Sequence, residues 1–460
     1  MIAPHRRATT PAFPASPRAP SLARLIGPEI RLLLRERALW LLLALLLLAM
    51  AVAARAGADR VRAEWAAIDA SLHEEALARN KAADIAAGPT PPEQFRNPAD
   101  PYGYLYYFLH AEARYAPEAL APLAAGAADI APPSLSISPA QTFADGADGI
   151  ANPLVARIGR FDLAFVLVFL LPLALIPMAG SRLSLERDRG QMPLLNAQPV
   201  PARRLALAKY AAVALVMLPV AVVGFWGAAA LSGADIAAAR PAMAGLSAAI
   251  LLYGLFWIAL AALVQRFRAG VAASLGSLTF LWATLGFLLP MLGSLILART
   301  APEADRTGQI LAARAALARF DAEPEALTRR WLARVEPTLS PAERHDALAR
   351  SDVRRLAQDA LARTAVQPYA AAAQARRAFG ERWANRLRRL SPPLLLDAAF
   401  QRAAGTDASH RAALGPTAER QAACIAARFQ PLILHPERLS GAPPARLVRF
   451  ERIVQACRNF

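Results

Sequence analysis

The chain has 460 residues, 56% of them hydrophobic and only 19% charged, with a formal net charge of +17. A water-soluble chain of this length holds two or three domains with charge spread over their surfaces. Here the apolar residues are gathered into runs free of Asp, Glu, Lys and Arg, which excludes an ordinary soluble core; the basic residues are Arg apart from Lys81 and Lys209, scattered without a nucleic-acid-binding motif, so no nucleic acid partner is expected.

In chain order, residues 1–20 are rich in Pro, Ala and Arg and are expected to be disordered. Residues 21–37 place apolar residues between spaced arginines, the pattern of an amphipathic helix lying at a membrane surface. Residues 38–54 form an uncharged run of 17, long enough to span. A cleavable signal peptide is disfavoured, because 37 residues precede the run. Residues 55–160 read as a first extracytoplasmic domain. It opens with a long amphipathic helix ended by Gly88 and Pro89, and continues through a tyrosine-rich stretch (Tyr102, Tyr104, Tyr106, Tyr107) expected to pack within the domain. The segment SLSIS is expected to be a short strand or an extended loop.

The second span is expected at 161–181, with Arg160 and Asp162 at its outer mouth as a solvated end or local ion pair. A loop at 182–209 leads to spans at 210–234, 241–265 and 269–298. The last of these uncharged runs has 30 residues, more than the roughly 20 that a bilayer core needs, so it must tilt, kink at Pro290 or leave part of itself at the interface. Residues 299–460 read as a second extracytoplasmic domain, helical, with boundaries expected at Pro324, Pro341, Pro368, Pro392 and Pro436. The expected fold is therefore an all-α polytopic membrane protein with about five transmembrane helices and two largely helical extracytoplasmic domains.

Charge sets the expected orientation. Residues 1–37 carry seven Arg against two Glu, and residues 182–209 six basic against two acidic, whereas 55–162 carry nine basic against fourteen acidic. Excess Lys and Arg in short loops marks the cytoplasmic side. This places the N-terminus and the 182–209 loop inside, and an odd number of spans places 299–460 outside; a bacterial inner membrane is the expected location. That tail carries 27 Arg against 16 acids, but long domains translocate largely regardless of charge. Cys424 and Cys457 lie in the tail, where an extracytoplasmic location permits a disulfide; their spacing does not decide whether they meet.

Catalytic patterns are missing. Neither Lys sits in a Gly-rich phosphate-binding loop, so the chain is not expected to hydrolyse ATP itself. His73 and Glu74 start a zinc-protease-like pattern, but Leu77 stands where the second histidine belongs. No metal and no catalytic residue is expected. The five uncharged runs carry no mid-membrane ionisable group, which argues against an ion-coupled secondary transporter.

The informative segment is SRLSLERDRGQMPLLNAQPVPARRLALAK. Its start is able to continue the second span out of the membrane as a charged helix, a lever that a soluble partner can push. This loop resembles the signature of type-2 ABC transporter permeases of the exporter-like class, matching at Glu186, Arg187, Asp188, Gly190, Leu194, Leu195, Pro199, Val200, Arg203 and Lys209. It departs at Gln191, Met192 and Pro193. The large segment after the first span, the stretch ANPLVARIGRFDLAFVLVFLLPLALIP, and LSPPLLLDAAFQRAAGTDASHR resemble a subgroup with a large extracytoplasmic insertion, whose members commonly have six spans; this chain shows five. The resemblance implies a permease that forms a homodimer or heterodimer in the lipid bilayer. It also implies a separate cytoplasmic ABC ATPase subunit carrying ATP and Mg, with outward transport or extraction of an unidentified substrate. Glu186, Arg187, Asp188 and Arg189 are the expected coupling surface. The alternative is a non-transporting membrane sensor or scaffold whose outer domains carry the interactions.

Overall fold

The computed structural model describes residues 21–89, 93–129, 131–138, 161–197, 200–267, 270–301 and 305–458. The disordered segment expected at 1–20, together with Arg160, Pro199 and Arg268, lies outside them. The protein is an all-α polytopic membrane protein, and five of its helices are long and apolar enough to span a bilayer. After α1 (Leu22–Leu34) these are α2 (Arg37–Ala87), α3 (Leu163–Asp188), α4 (Ala202–Leu231), α5 (Arg240–Gln265) and α6 (Val271–Thr300). The absence of charge explains each: a helix satisfies its own backbone polar groups, so an uncharged helical run is stable in hydrocarbon.

Several boundaries differ from the sequence expectation, among them the start of α4 at Ala202, within the segment expected as a loop. The amphipathic helix ends at Leu34, and α2 begins at Arg37. α2 then runs on without a break through the segment expected to be a separate amphipathic helix. Residues 55–87 contain no Pro, and their Ala, Leu, Arg and Glu content favours propagation over termination.

The remaining helices are α7 (Arg306–Ala322), α8 (Pro324–Val335), α9 (Pro341–Ala349), α10 (Ser351–Arg388), α11 (Pro392–Ala403), α12 (Leu414–Leu434) and α13 (Pro443–Arg458). Pro324, Pro341 and Pro392 each occupy the first helical position, where the missing N–H costs nothing. Pro368 does not mark a boundary: it lies inside α10. The backbone hydrogen bond lost there is offset by the long packing of α10 along α7 and α8. SLSIS contributes a strand: β2 (Ser134–Ser136) pairs antiparallel with β1 (Glu112–Arg114), with Ala113 opposite Leu135.

The chain divides into two compact units. The first comprises Met1–Ala49, Phe169–Phe225 and Ser247–Ala283. In it α3 packs closely on α6: a Cβ at Gly180 would stand 2.6 Å from a Leu278 methyl, so a larger residue there requires the Leu278 side chain to shift. The Trp282 indole N–H donates to the Phe169 carbonyl at 3.1 Å. The second unit comprises Met50–Val168, Trp226–Leu246 and Thr284–Phe460. Its main core joins residues from α2, the tyrosine-rich stretch, the hairpin, α12 and α13. Tyr104 stacks on Phe429 with ring centroids 5.6 Å apart, and Phe429 meets Phe450 at 5.2 Å. Tyr102 and Tyr104 are buried and Tyr106 half-buried, while Tyr107 is exposed. Cys424 of α12 and Cys457 of α13 form a disulfide. A buried ionic chain also ties α2 to the C-terminal half. Glu64 accepts from Arg60 at 2.7 Å and from Arg411 at 2.9 Å, and the Arg411 guanidinium lies 4.6 Å above the Tyr115 ring.

Candidate functional site

The charged end of α3 lies in the first unit, and the sequence there continues the helix for one practical reason. After the apolar run, RLSLERD offers good helix formers and no Pro until residue 193. The helix stops where Gly190 takes a left-handed φ of 69°, which a side chain disfavours. A five-residue helix, Met192–Asn196, follows.

Lys209, at the base of α4, is the centre of the site. It is only 6% exposed, and its ammonium meets Glu29 of α1 at 2.8 Å and Glu186 of α3 at 2.6 Å. A second bridge runs from Arg182 of α3 to Glu36, between α1 and α2, with both guanidinium nitrogens donating, at 2.6 and 2.9 Å. This planar, two-point geometry fixes orientation as well as charge. Gln265, the last residue of α5, is 2% exposed. Its amide oxygen accepts from the Leu183 and Ser184 backbone N–H groups at 2.9 and 3.1 Å, and its amide nitrogen donates to the Ala179 and Gly180 carbonyls. Arg187 donates to the Gln265 carbonyl at 3.1 Å. Asp188 accepts from the Val271 N–H at 3.0 Å, satisfying an orphan donor at the start of α6.

The matched residues of the loop therefore divide. Glu186, Arg187, Asp188 and Lys209 are brought together and engage α1, α4, α5 and α6. Arg189, Gly190 and Arg203 are exposed, and Leu194 is 73% exposed. Val200 is half-buried, and Leu195 lies in the short helix. Pro199 lies outside the described residues. Within the expected coupling surface, only Arg189 is exposed with no partner inside the unit among the described residues.

Sequence reasoning missed Glu29, Glu36, Arg182 and Gln265. A signal for the glutamates was present: they are the two acids among seven arginines before the first span, seven positions apart on a helical pattern. Nothing in the sequence points to Gln265, whose role arises from the turn of chain that sets α5 beside α3.

In the second unit, burial holds the carboxyls of Asp100, Asp359 and Asp397 above the ordinary carboxyl value. Burial, then the neighbouring Asp162 carboxylate, push the Asp397 carboxyl of α11 up to about 6, against a hydrogen bond from Gln401. Asp162 caps the start of α3, accepting from Phe165 N–H at 2.7 Å, and also accepts from Ala125 N–H at 2.7 Å.

Residues 306–452 match a family model described as a domain of unknown function (DUF3526). That stretch falls within the second unit, and the charged loop lies outside it. No curated protein and no solved structure matches the chain.

Proposed function

We propose that this chain is the membrane-spanning permease subunit of an ATP-driven transporter, with the 182–209 loop as the docking site for a separate ATPase subunit. The observation that carries the reading is the bracing of the α3 end. Lys209, itself paired with Glu29 of α1, joins with Gln265 and the Val271 N–H to hold it to α4, α5 and α6. A push on the exposed tip at Arg189, Leu194 and Arg203 therefore moves several spans as one piece rather than bending a free loop. A plain membrane anchor needs no such bracing. The chain's lysines lie outside any phosphate-binding loop, so the nucleotide and its magnesium belong to the partner.

In this reading the N-terminus and the loop face the cytoplasm of a bacterial inner membrane, and residues 55–160 and 299–460 face outward. The arginine excess of 1–37 and 182–209 supports that orientation, and so does the Cys424–Cys457 disulfide, since such bonds persist in oxidising compartments. The test is affinity purification of the tagged full chain in mild detergent with nucleotide present. A stoichiometric companion containing a phosphate-binding loop is expected. Arg189→Glu with Leu194→Asp should abolish its recovery while the chain still inserts in the membrane. Reproducible absence of a companion with the parent chain overturns the reading.

A further inference from the structure

The uncharged run from Ala269 to Ala298 exceeds what a bilayer core needs, and the second unit shows where the excess goes. Counting about 20 residues from Ala269 uses up the hydrocarbon thickness near Leu288. The packing of α11 marks the same level independently. It contacts both Leu163–Phe165, where the charge-free part of α3 starts beside Asp162, and the π-helical turn Thr284–Leu288 of α6. Thus Leu289–Thr300 continues beyond the core.

This outer part of α6 is held by α10. The Trp383 indole N–H donates to the Gly293 carbonyl at 2.9 Å, and a Cβ at Gly293 would fall 2.3 Å from a Leu387 methyl; earlier in α6, the Ser391 hydroxyl, between α10 and α11, donates to the Leu285 carbonyl at 2.8 Å. Yet the face of α6 turned away from α10 stays apolar: Met291 is 64% exposed, and Leu292, Leu295 and Ile296 are exposed with it. Beside that face the C-terminal turns of α10 are strongly basic. Arg382, Arg386 and Arg389 recur at helical spacing on one flank, all exposed, and none forms an ion pair with a carboxylate among the described residues. From 369 to 396 the sequence has six Arg and one acid, Glu381. Exposed Leu390 and Leu395 complete the surface.

We infer that the outer end of α6, with the ends of α10 and α11, forms an interfacial wedge that beds in the bilayer surface and binds anionic phospholipid headgroups through Arg382, Arg386 and Arg389. An apolar face beside a row of cations, at the depth where hydrocarbon gives way to headgroups, fits a lipid leaflet. The net positive charge selects anionic over zwitterionic lipid. A tryptophan at the junction suits the same depth. The wedge does not depend on any ATPase partner.

The test uses the full chain in nanodiscs of phosphatidylcholine with phosphatidylglycerol. The native cysteines are joined to each other, so a spin label on N385C or S294C reports one site. Oxygen and nickel-chelate accessibility should place both labels at the headgroup–acyl boundary. The phosphatidylglycerol-to-phosphatidylcholine ratio of co-purified lipid should fall at least fivefold in R382Q/R386Q/R389Q, each arginine near an anionic surface contributing roughly that factor. Water-like accessibility at both positions, or an unchanged lipid ratio, overturns the inference. So does protection from both probes with S294C cross-linking between chains, which would show a second copy on this face.

Discussion

Two basic clusters in this protein look alike in sequence and differ in what they meet. Lys209 is enclosed between Glu29 and Glu186 in the first unit, while Arg382, Arg386 and Arg389 of the second unit stand exposed on α10. The first cluster braces helices; the second is free to face something outside the chain. The lesson is that the density of positive charge near a span gives no role by itself. Enclosure decides, because an enclosed cation must be paired and an exposed one need not be.

The comparison breaks first at Lys209. Lys209→Met leaves two glutamates facing each other with their shared cation gone, and should cost about 3 kcal/mol of stability. Thermal unfolding in detergent reads this, and a midpoint equal to that of the parent chain would show that Lys209 does not brace these helices. Next in size is the Cys424–Cys457 disulfide, which spans 33 residues of sequence. Replacing both cysteines by serine, or adding reductant, should destabilise the α12–α13 pair by about 3 kcal/mol, seen as earlier proteolysis in that segment.

A smaller effect is expected at Asp397. Its folded-state acidity lies near 6, above the ordinary carboxyl value of 3.8, so the folded state holds the proton more tightly. The resulting stabilisation is complete below the ordinary value and is lost as pH rises through about 6. Asp397→Asn should flatten this pH profile and raise stability at pH 8 by on the order of 2 kcal/mol; an unchanged profile shows that another group titrates. Smallest are the exposed charges. Arg189→Ala, Arg382→Gln, Arg386→Gln or Arg389→Gln alone should each alter the unfolding midpoint by less than about 0.5 kcal/mol of stability. A loss comparable to that of Lys209→Met would mean that the exposed arginines brace the fold as well.

Much of this architecture was legible in the chain. Five charge-free runs determine five spanning helices, because hydrocarbon admits only a backbone that satisfies itself and excludes unpaired charge. Glycine and proline punctuation correctly placed the starts of α8, α9 and α11. It failed at Pro368, where packing along α7 outweighed one lost hydrogen bond. The charged end of α3 was also visible as a helix-compatible extension, together with Lys209 at the base of the next span.

What the tertiary structure alone decided is partnership. Lys209 pairs with Glu29 and Glu186, Arg182 with Glu36, and Gln265 with the α3 backbone, across separations of up to 180 residues. The two stretches that read as separate outer regions, 55–160 and 299–460, share one aromatic core through Tyr104, Phe429 and Phe450. Periodicity reports which face of a helix is apolar and a run of residues reports its length, but neither names the surface it will meet. That choice is made by shape and charge complementarity between segments distant in the chain, and it exists only once they are folded together.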